Sequence, residues 1–319
     1  MNSTSAMSDP AASFEPYRRR LLGLAYRMLG SMADAEDAVQ ETYLRWHRAD
    51  RDNVSEPRAF LMTTTTRICL DMLTSARARR EEYVGPWLPE PVVDTAALAP
   101  DSRTELAEDL SIALLLTLDR LSPLERAAFL LHDAFDFSFH EVATALERSE
   151  AACRQLAARA RARVRAARPR GATTPPARSG EIDARHAQLM SAFVAATRSG
   201  DLKALTQLLA DDVRVVTDGG GKAAASLNVI DGADRSARFL VGAARKGWRE
   251  DFTLRFATIN GLPGVIVDSP EGPVQTAAFE IEDEVIRGLY VVRNPDKLRH
   301  LSSPGWQRET PSPQARTDS

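Results

Sequence analysis

The sequence predicts a multidomain chain in which two all-α helical domains, the second with a helix-turn-helix, precede an α+β domain of cone-shaped architecture. Three observations carry this. Apolar residues recur at helical spacing from Phe14 to about Arg168. Stretches rich in Pro and Gly interrupt that pattern at 84–103 and 169–182. Beyond Asp183, two or three amphipathic helices give way to short β-branched runs separated by turn residues. A chain of 319 residues also divides into two or three cores rather than one.

Bulk composition is that of an ordinary soluble protein, 44% hydrophobic and 27% charged with a net charge of -3. The average hides an uneven distribution. Between Arg148 and Arg170 eight arginines face one acid, Glu150, so this segment alone carries +7. Cys69 and Cys153 share no metal-ligand spacing and read as small buried hydrophobes. There is no apolar run of membrane-spanning length and no basic-then-apolar leader, so a cytoplasmic protein with no membrane partner is expected. No cofactor or metal site is expected either.

Residues 1–13 read as a disordered tail and 14–83 as the first helical domain. Leu21, Leu22, Leu24, Ala25, Met28 and Leu29 form the stripe of its first helix, and Gly30 is the stop. In the next helix, Asp34–Trp46, one face is apolar through Ala35, Ala38, Val39, Thr42 and Trp46. The opposite face places the like charges Asp37 and Glu41 four residues apart, which costs an isolated helix about 0.2–0.5 kcal/mol. Leu44 stands beside them. That combination suggests a docking ridge; the alternative is a solvated face with Glu41–Arg45 as an ordinary pair. A third helix opens at Pro57 and runs to about Tyr83, with Thr63–Thr66 before Arg67 and a basic end at Arg77, Arg79 and Arg80. Small hydroxyls beside arginines suit an extruded base and its phosphates. The alternative packs the threonines inward and leaves the arginines to complement the helix dipole.

The linker 84–103 contains Trp87-Leu88-Pro89-Glu90-Pro91, whose two large apolar side chains suggest a tether that docks. The second helical domain, 104–168, starts with Leu106, Leu110, Ala113, Leu114 and Leu118 on one face. Ser122–Glu125 and Ser138–Glu141 are both capping boxes. A short helix to Leu146, a Glu147-Arg148 turn and a Ser149-capped basic helix make the helix-turn-helix. On that last helix Cys153, Leu156, Ala160 and Val164 face inward; Arg154, Ala158, Arg161 and Arg165 face a polyanion, flanked by Arg159 and Arg163. After the linker 169–182, the α+β domain spans 183–300, with helices at Ala184–Ser199, Leu202–Leu209 and Ala233–Ala244. Its strands are expected at Val213–Thr217, Ala223–Ile230, Phe252–Ile259, Gly264–Val267, Gln275–Ile281 and Val285–Val292, around an internal cavity. A disordered tail fills 301–319.

The stretch with Asp34, Glu36, Asp37, Val39, Gln40, Glu41 and Leu44 resembles the core-polymerase-binding helix of bacterial sigma factors, most closely the extracytoplasmic-function group. The resemblance implies that Asp34, Asp37, Gln40, Glu41 and Leu44 bind core RNA polymerase. It implies that Thr64, Arg67, Arg77, Arg79 and Arg80 meet the promoter −10 element. It assigns the −35 element to Ser149, Arg154, Gln155, Ala158, Arg161 and Arg165, with Arg154 and Gln155 as base readers. The C-terminal third is similar to SnoaL-like domains. WLPEP, Asp218-Gly219-Gly220-Gly221-Lys222 and Asn294-Pro295-Asp296-Lys297-Leu298, in this order, resemble a sigma subgroup regulated from within by such a domain. Trp87, Leu88, Pro89, Asp218, Lys222, Asn294, Asp296 and Lys297 would then form a regulatory interdomain contact. The partners implied are core RNA polymerase and promoter DNA, with no separate anti-sigma factor required and an unknown small-molecule ligand allowed for in the last domain. Two other classes fit parts of the sequence: a helix-turn-helix activator with a ligand-sensing domain, and a SnoaL-like enzyme using acids such as Asp218, Asp268, Glu280 or Glu282, or His186. Turnover is not expected, because the residues offer no convergent triad.

Overall fold

The computed structural model describes residues 9–81, 83–93, 111–167 and 184–302, with side chains in the third helix described through Thr74. Expectations that fall on residues 1–8, on the side chains of Arg77, Arg79 and Arg80, on 94–110, on 168–183 and on 303–319 lie outside this description.

Helix α1 (Pro10–Leu29) begins earlier than the sequence reading placed it. The tail assigned to residues 1–13 is corrected at its end: the Asp9 carboxylate accepts the Ala11 N–H at 3.0 Å, and Pro10 fills the first helical position, where a missing N–H costs nothing. Gly30 stops the helix in the left-handed conformation (φ 70°). Ser31 caps α2 (Met32–Arg48) by accepting the Asp34 N–H at 3.1 Å. Helix α3 (Pro57–Glu81) packs across both.

In α4 (Ile112–Asp119) Ala113 faces outward and Ile112 and Leu115 face inward, unlike the single stripe expected. Six of the eight residues are apolar, so residue spacing did not single out the buried arc. Helix α5 (Pro123–Phe129) runs into a π-helical turn at Leu130–Ala134. Helix α6 (Phe139–Leu146) ends at Glu147, left-handed at φ 53°, and α7 (Glu150–Ala167) follows. Both capping boxes are formed. The two helical domains share one continuous core, from Leu24 and Met28 of α1 to Leu118, Phe129, Leu131 and Phe135.

The α+β domain comprises α8 (Ala184–Ser199), α9 (Leu202–Leu208), β1 (Leu209–Asp218), β2 (Ile230–Asp231), α10 (Ala233–Gly247), β3 (Thr253–Ile259), β4 (Leu262–Ser269), β5 (Gly272–Glu282) and β6 (Val285–Val292). It closes with a single turn, α11 (Pro295–Leu298), and a 3₁₀ turn at Arg299–Ser302. The sheet order is β2-β1-β6-β5-β4-β3, with β1 and β6 parallel and every other pair antiparallel. The strand expected at Ala223–Ile230 is corrected to a loop from which only β2 pairs with β1. Gly220 and Gly221 both adopt positive φ, and Thr217 Oγ1 accepts the Ser226 N–H at 2.7 Å, so the chain curls back before it can extend. Met190, Phe193, Phe279, Leu289 and Val291 form the domain's core, with the Phe193 and Phe279 rings edge-to-face at 5.1 Å.

Because side chains alternate along a strand, each strand supplies two faces. Val265 and Ala277 point to α8–α10, while Ile266 and Ala278 meet Ile112 and, beyond it, Leu116 and Val93 of the helical part. Leu301, assigned by the sequence to the tail, is buried with Leu88, Val292 and Leu298.

Gly30 is fixed by both conformation and space, since a Cβ there would lie 2.5 Å from the Trp87 ring. Gly30→Ala is expected to lower stability by about 1–3 kcal/mol, read by denaturant unfolding monitored by circular dichroism.

Candidate functional site

The polar face of α2 is presented as the sequence requires. Ala35, Ala38, Val39, Thr42 and Trp46 are buried, while Asp37, Gln40 and Leu44 are exposed and Asp34 and Glu41 half-buried. Arg45 pairs with Glu41 at 2.9 Å on one flank.

The threonine run of α3 departs from the expected base-holding surface. Thr64, Thr65 and Thr66 are buried, and their hydroxyls donate to the carbonyls of Phe60, Leu61 and Met62 at 2.8, 2.9 and 2.8 Å. Bonding back to residue i−4 satisfies each hydroxyl within its own helix, which lets the β-branched methyls pack. In this arrangement Thr64 is a packed residue, its hydroxyl turned to the Phe60 carbonyl. Arg67 turns toward the helix-turn-helix instead. Its Nε and Nη2 donate to the carbonyls of Ala145 and Thr144, both at 3.0 Å, and Nη2 lies 3.1 Å from Glu147. These are the last carbonyls of α6, where a cation complements the helix dipole. Arg58 Nη2 donates to the Phe135 carbonyl at 2.5 Å and Arg20 Nη2 to the same oxygen at 3.3 Å, while Arg126 Nη1 donates to the Met28 carbonyl.

On α7 the outward face holds Ser149, Arg154, Gln155, Ala158 and Arg165, all exposed. Ser149 Oγ accepts the Ala152 N–H at 3.2 Å, and Arg154 bonds Glu150 at 2.6 Å while lying 5.3 Å over the Phe139 ring. Arg161 is drawn inward to Asp133 at 2.5 Å, and Arg159 and Arg163 both grip Glu125, at 2.9 and 2.8 Å. Burial alone would raise the Glu125 pKa; hydrogen bonds from Arg159 and Ser122 and the charge of Arg163 outweigh it and hold the carboxyl down to about 2. Sequence spacing could not reveal Glu125 and Asp133 as partners, because they lie 28 or more residues away, on α5 and on the π-helical turn after it.

The three remaining motifs converge. Asp218, fully buried, accepts the Tyr83 hydroxyl at 2.5 Å, the Leu88 N–H at 2.8 Å and the Lys297 ammonium at 2.7 Å. Lys297 also donates to the Leu88 carbonyl at 2.5 Å and lies 4.4 Å above the Trp87 ring and 5.0 Å from that of Tyr83. Asn294 Nδ2 donates to the Tyr83 hydroxyl at 2.9 Å, and Lys222 pairs with Asp296. Pro89 is buried in the same strap. Burial and the hydrogen bond to Asp218 both push the Tyr83 hydroxyl to a higher pKa.

A second node was missed. Glu90, the acid of WLPEP, accepts the Met32 N–H at 2.7 Å, and the Tyr26 hydroxyl donates to the Glu90 carbonyl at 2.7 Å. Asn260 Nδ2 donates to the Tyr26 hydroxyl at 2.8 Å. Asn260 sits in the turn after β3 in the left-handed conformation (φ 48°), which an asparagine tolerates better than most residues.

The four acids named from the sequence are each engaged by a neighbouring side chain. Asp218 serves Lys297, Asp268 is bidentate with Arg255 at 2.6 and 3.0 Å, Glu280 accepts the Tyr290 hydroxyl at 3.0 Å, and Glu282 pairs with Arg287 at 2.5 Å. His186 is half-buried on α8. Among the described residues no group of His, Cys, Asp or Glu has metal-binding geometry, and no helix is long and apolar enough to cross a membrane.

Family models for sigma-70 region 2 and sigma-70 region 4 match residues 14–79 and 111–164. The chain is 40% identical over 297 residues to the extracytoplasmic-function RNA polymerase sigma factor SigJ of Mycobacterium tuberculosis, covering 90% of this chain and 92% of that one. It is 31% identical to the probable extracytoplasmic-function sigma factor SigI of the same organism, over 92% of this chain and 96% of the relative. The crystal structure of M. tuberculosis SigJ superposes with a TM-score of 0.67 at 35% identity, covering 92% of this chain and 99% of that one. The two sigma-70 region matches, together with 40% identity over nearly the whole of SigJ, make this chain a member of the extracytoplasmic-function RNA polymerase sigma factors.

Proposed function

We propose that this sigma factor takes hold of core polymerase through Asp34, Asp37, Gln40, Glu41 and Leu44, reads the −35 element with the exposed face of α7, and is held in check by its own folded arrangement. The observation that carries the last part is Arg67. As long as its guanidinium caps α6, the −10 side of α3 and the turn of the helix-turn-helix occupy one another. Arg67 would reach DNA only after the two sigma domains separate, and Arg77, Arg79 and Arg80 complete the set proposed for the −10 element. Ser149, Arg154, Gln155, Ala158 and Arg165 need no such release; Arg161 must first leave Asp133.

Regulation by the SnoaL-like domain is supported by the node around Asp218, which ties the linker strap to that domain through Trp87, Leu88, Lys297 and Asn294, with Lys222–Asp296 at its rim. In this reading the strap sets the balance between closed and polymerase-competent forms, a separate anti-sigma factor is not required, and the protein acts in the cytoplasm without covalent chemistry of its own. The apolar core around Phe193 and Phe279 gives this domain a body of its own against which the strap can be held.

Three outcomes are expected. Replacing Asp37 and Glu41 with lysine lowers capture of core polymerase tenfold or more in a pull-down, with helical content unchanged; undiminished capture sinks the docking assignment. Arg58→Ala, which loosens the contact between the sigma domains without touching a DNA-facing residue, increases the radius of gyration and speeds holoenzyme assembly several-fold in stopped flow. An unchanged rate means that closure does not limit activity. Lys297→Met strands the buried Asp218 charge and lowers stability by about 3–5 kcal/mol in urea titration.

A further inference from the structure

The N-terminal turn of α2 is completed from outside the first domain. An α-helix begins with N–H groups that lack an intrahelical partner. Ser31 serves the third of these, at Asp34. The first, at Met32, and the second, at Ala33, are served by the Glu90 carboxylate, which also takes the Ser31 hydroxyl. A carboxylate is well suited to this position because the positive end of the helix dipole faces it. Yet Glu90 is 64 residues distant from Tyr26 in the chain, is 7% exposed, and belongs to the linker.

What holds Glu90 there comes from the SnoaL-like domain. The Glu90 N–H donates to the Gly30 carbonyl at 2.9 Å, and its own carbonyl accepts the Tyr26 hydroxyl. Tyr26 in turn accepts from Asn260, at the turn between β3 and β4. Asn260 also clasps the strap two residues further on: its N–H donates to the Val92 carbonyl at 2.7 Å and its Oδ1 accepts the Val92 N–H at 3.1 Å. His300 bonds the Pro91 carbonyl between them at 2.7 Å. An unbroken set of hydrogen bonds therefore runs from the β3–β4 turn to the first two amides of the helix that carries Asp34 and Asp37.

We propose that Glu90 is a positioning residue for polymerase docking, and that the SnoaL-like domain sets the start of α2 through Asn260, Tyr26 and Glu90. This rests on α2 being the polymerase-docking helix. It goes beyond linker anchoring at Asp218, because the contact it names is with the docking helix itself.

The test uses the full chain. Asn260→Gly keeps the main-chain N–H bond to the Val92 carbonyl and tolerates the left-handed φ, but removes the side-chain amide that reaches Tyr26, along with the Oδ1 that accepts the Val92 N–H. Amide hydrogen exchange at Met32 and Ala33 is expected to accelerate about fivefold, and core polymerase capture to weaken by a similar factor, with the overall melting curve little changed. Tyr26→Phe gives the same result, and the double variant is no worse than either single one. Glu90→Gln, which keeps the shape and removes the charge, also accelerates exchange at those two amides. Unchanged exchange in Asn260→Gly, or effects of the two single variants that simply add, overturns the proposal. Faster exchange with unaltered capture overturns it too, by showing that the turn does not matter to docking. Failure of the docking assignment itself shows separately, in the lysine variants of Asp37 and Glu41, whose capture would stay undiminished.

Discussion

The arrangement turns on one buried ion pair. Asp218 and Lys297 stand 79 residues apart in the chain, and neither could be taken out of water alone without a cost of several kcal/mol. Each is satisfied by the other and by the linker: Asp218 accepts the Leu88 N–H, and Lys297 donates to the Leu88 carbonyl. One residue of an otherwise extended strap is thus bonded on both of its backbone groups to a pair that exists only when the α+β domain is folded. The Trp87 ring lies under the Lys297 ammonium on one side and against Gly30 on the other, so the same residue joins the pair to the end of α1.

From that pair the remaining contacts follow by geometry. Once Leu88 is fixed, Glu90 falls at the N-terminus of α2 and Val92 opposite Asn260. The sheet then lies between two layers, its helices on one face and α4 with Val93 on the other. A sheet covered on only one side would leave Ile259, Ile266 and Ala278 in water. Burying them against the helical part supplies apolar area that a chain of three separate domains would lack.

Arginine has a double use in the helical part. Arg20, Arg58, Arg67 and Arg126 donate to main-chain carbonyls across the contact between the two sigma domains, and Arg159, Arg161 and Arg163 pair with acids of α5 and the turn after it. The same fork that matches a phosphate also matches a pair of helix-terminal carbonyls. A basic helix in such a protein is therefore not uniformly free for DNA: on α7 the side toward α5 is occupied from within, and the face of Arg154, Gln155 and Arg165 is exposed.

The sequence by itself determined the elements and their inward faces wherever the signal is local. The apolar stripe of α2, the two capping boxes, the Gly30 stop, the bounds of β6 and the order of the three motifs are all of this kind, because caps, periods and turns act over a few residues. It misjudged the start of α1 and the run at Ala223–Ile230, where capping and a glycine turn override simple pattern, and it left open which way the threonines of α3 face. Only the tertiary structure decided the rest: that Glu125 and Asp133 claim three arginines, that Arg67 caps α6, and that Asn260 and Glu90 share a path to α2. Those contacts join residues tens to hundreds of positions apart. Charge and hydrogen-bonding capacity are written in the residues, but their partners are chosen by the packing of the sheet against the helices.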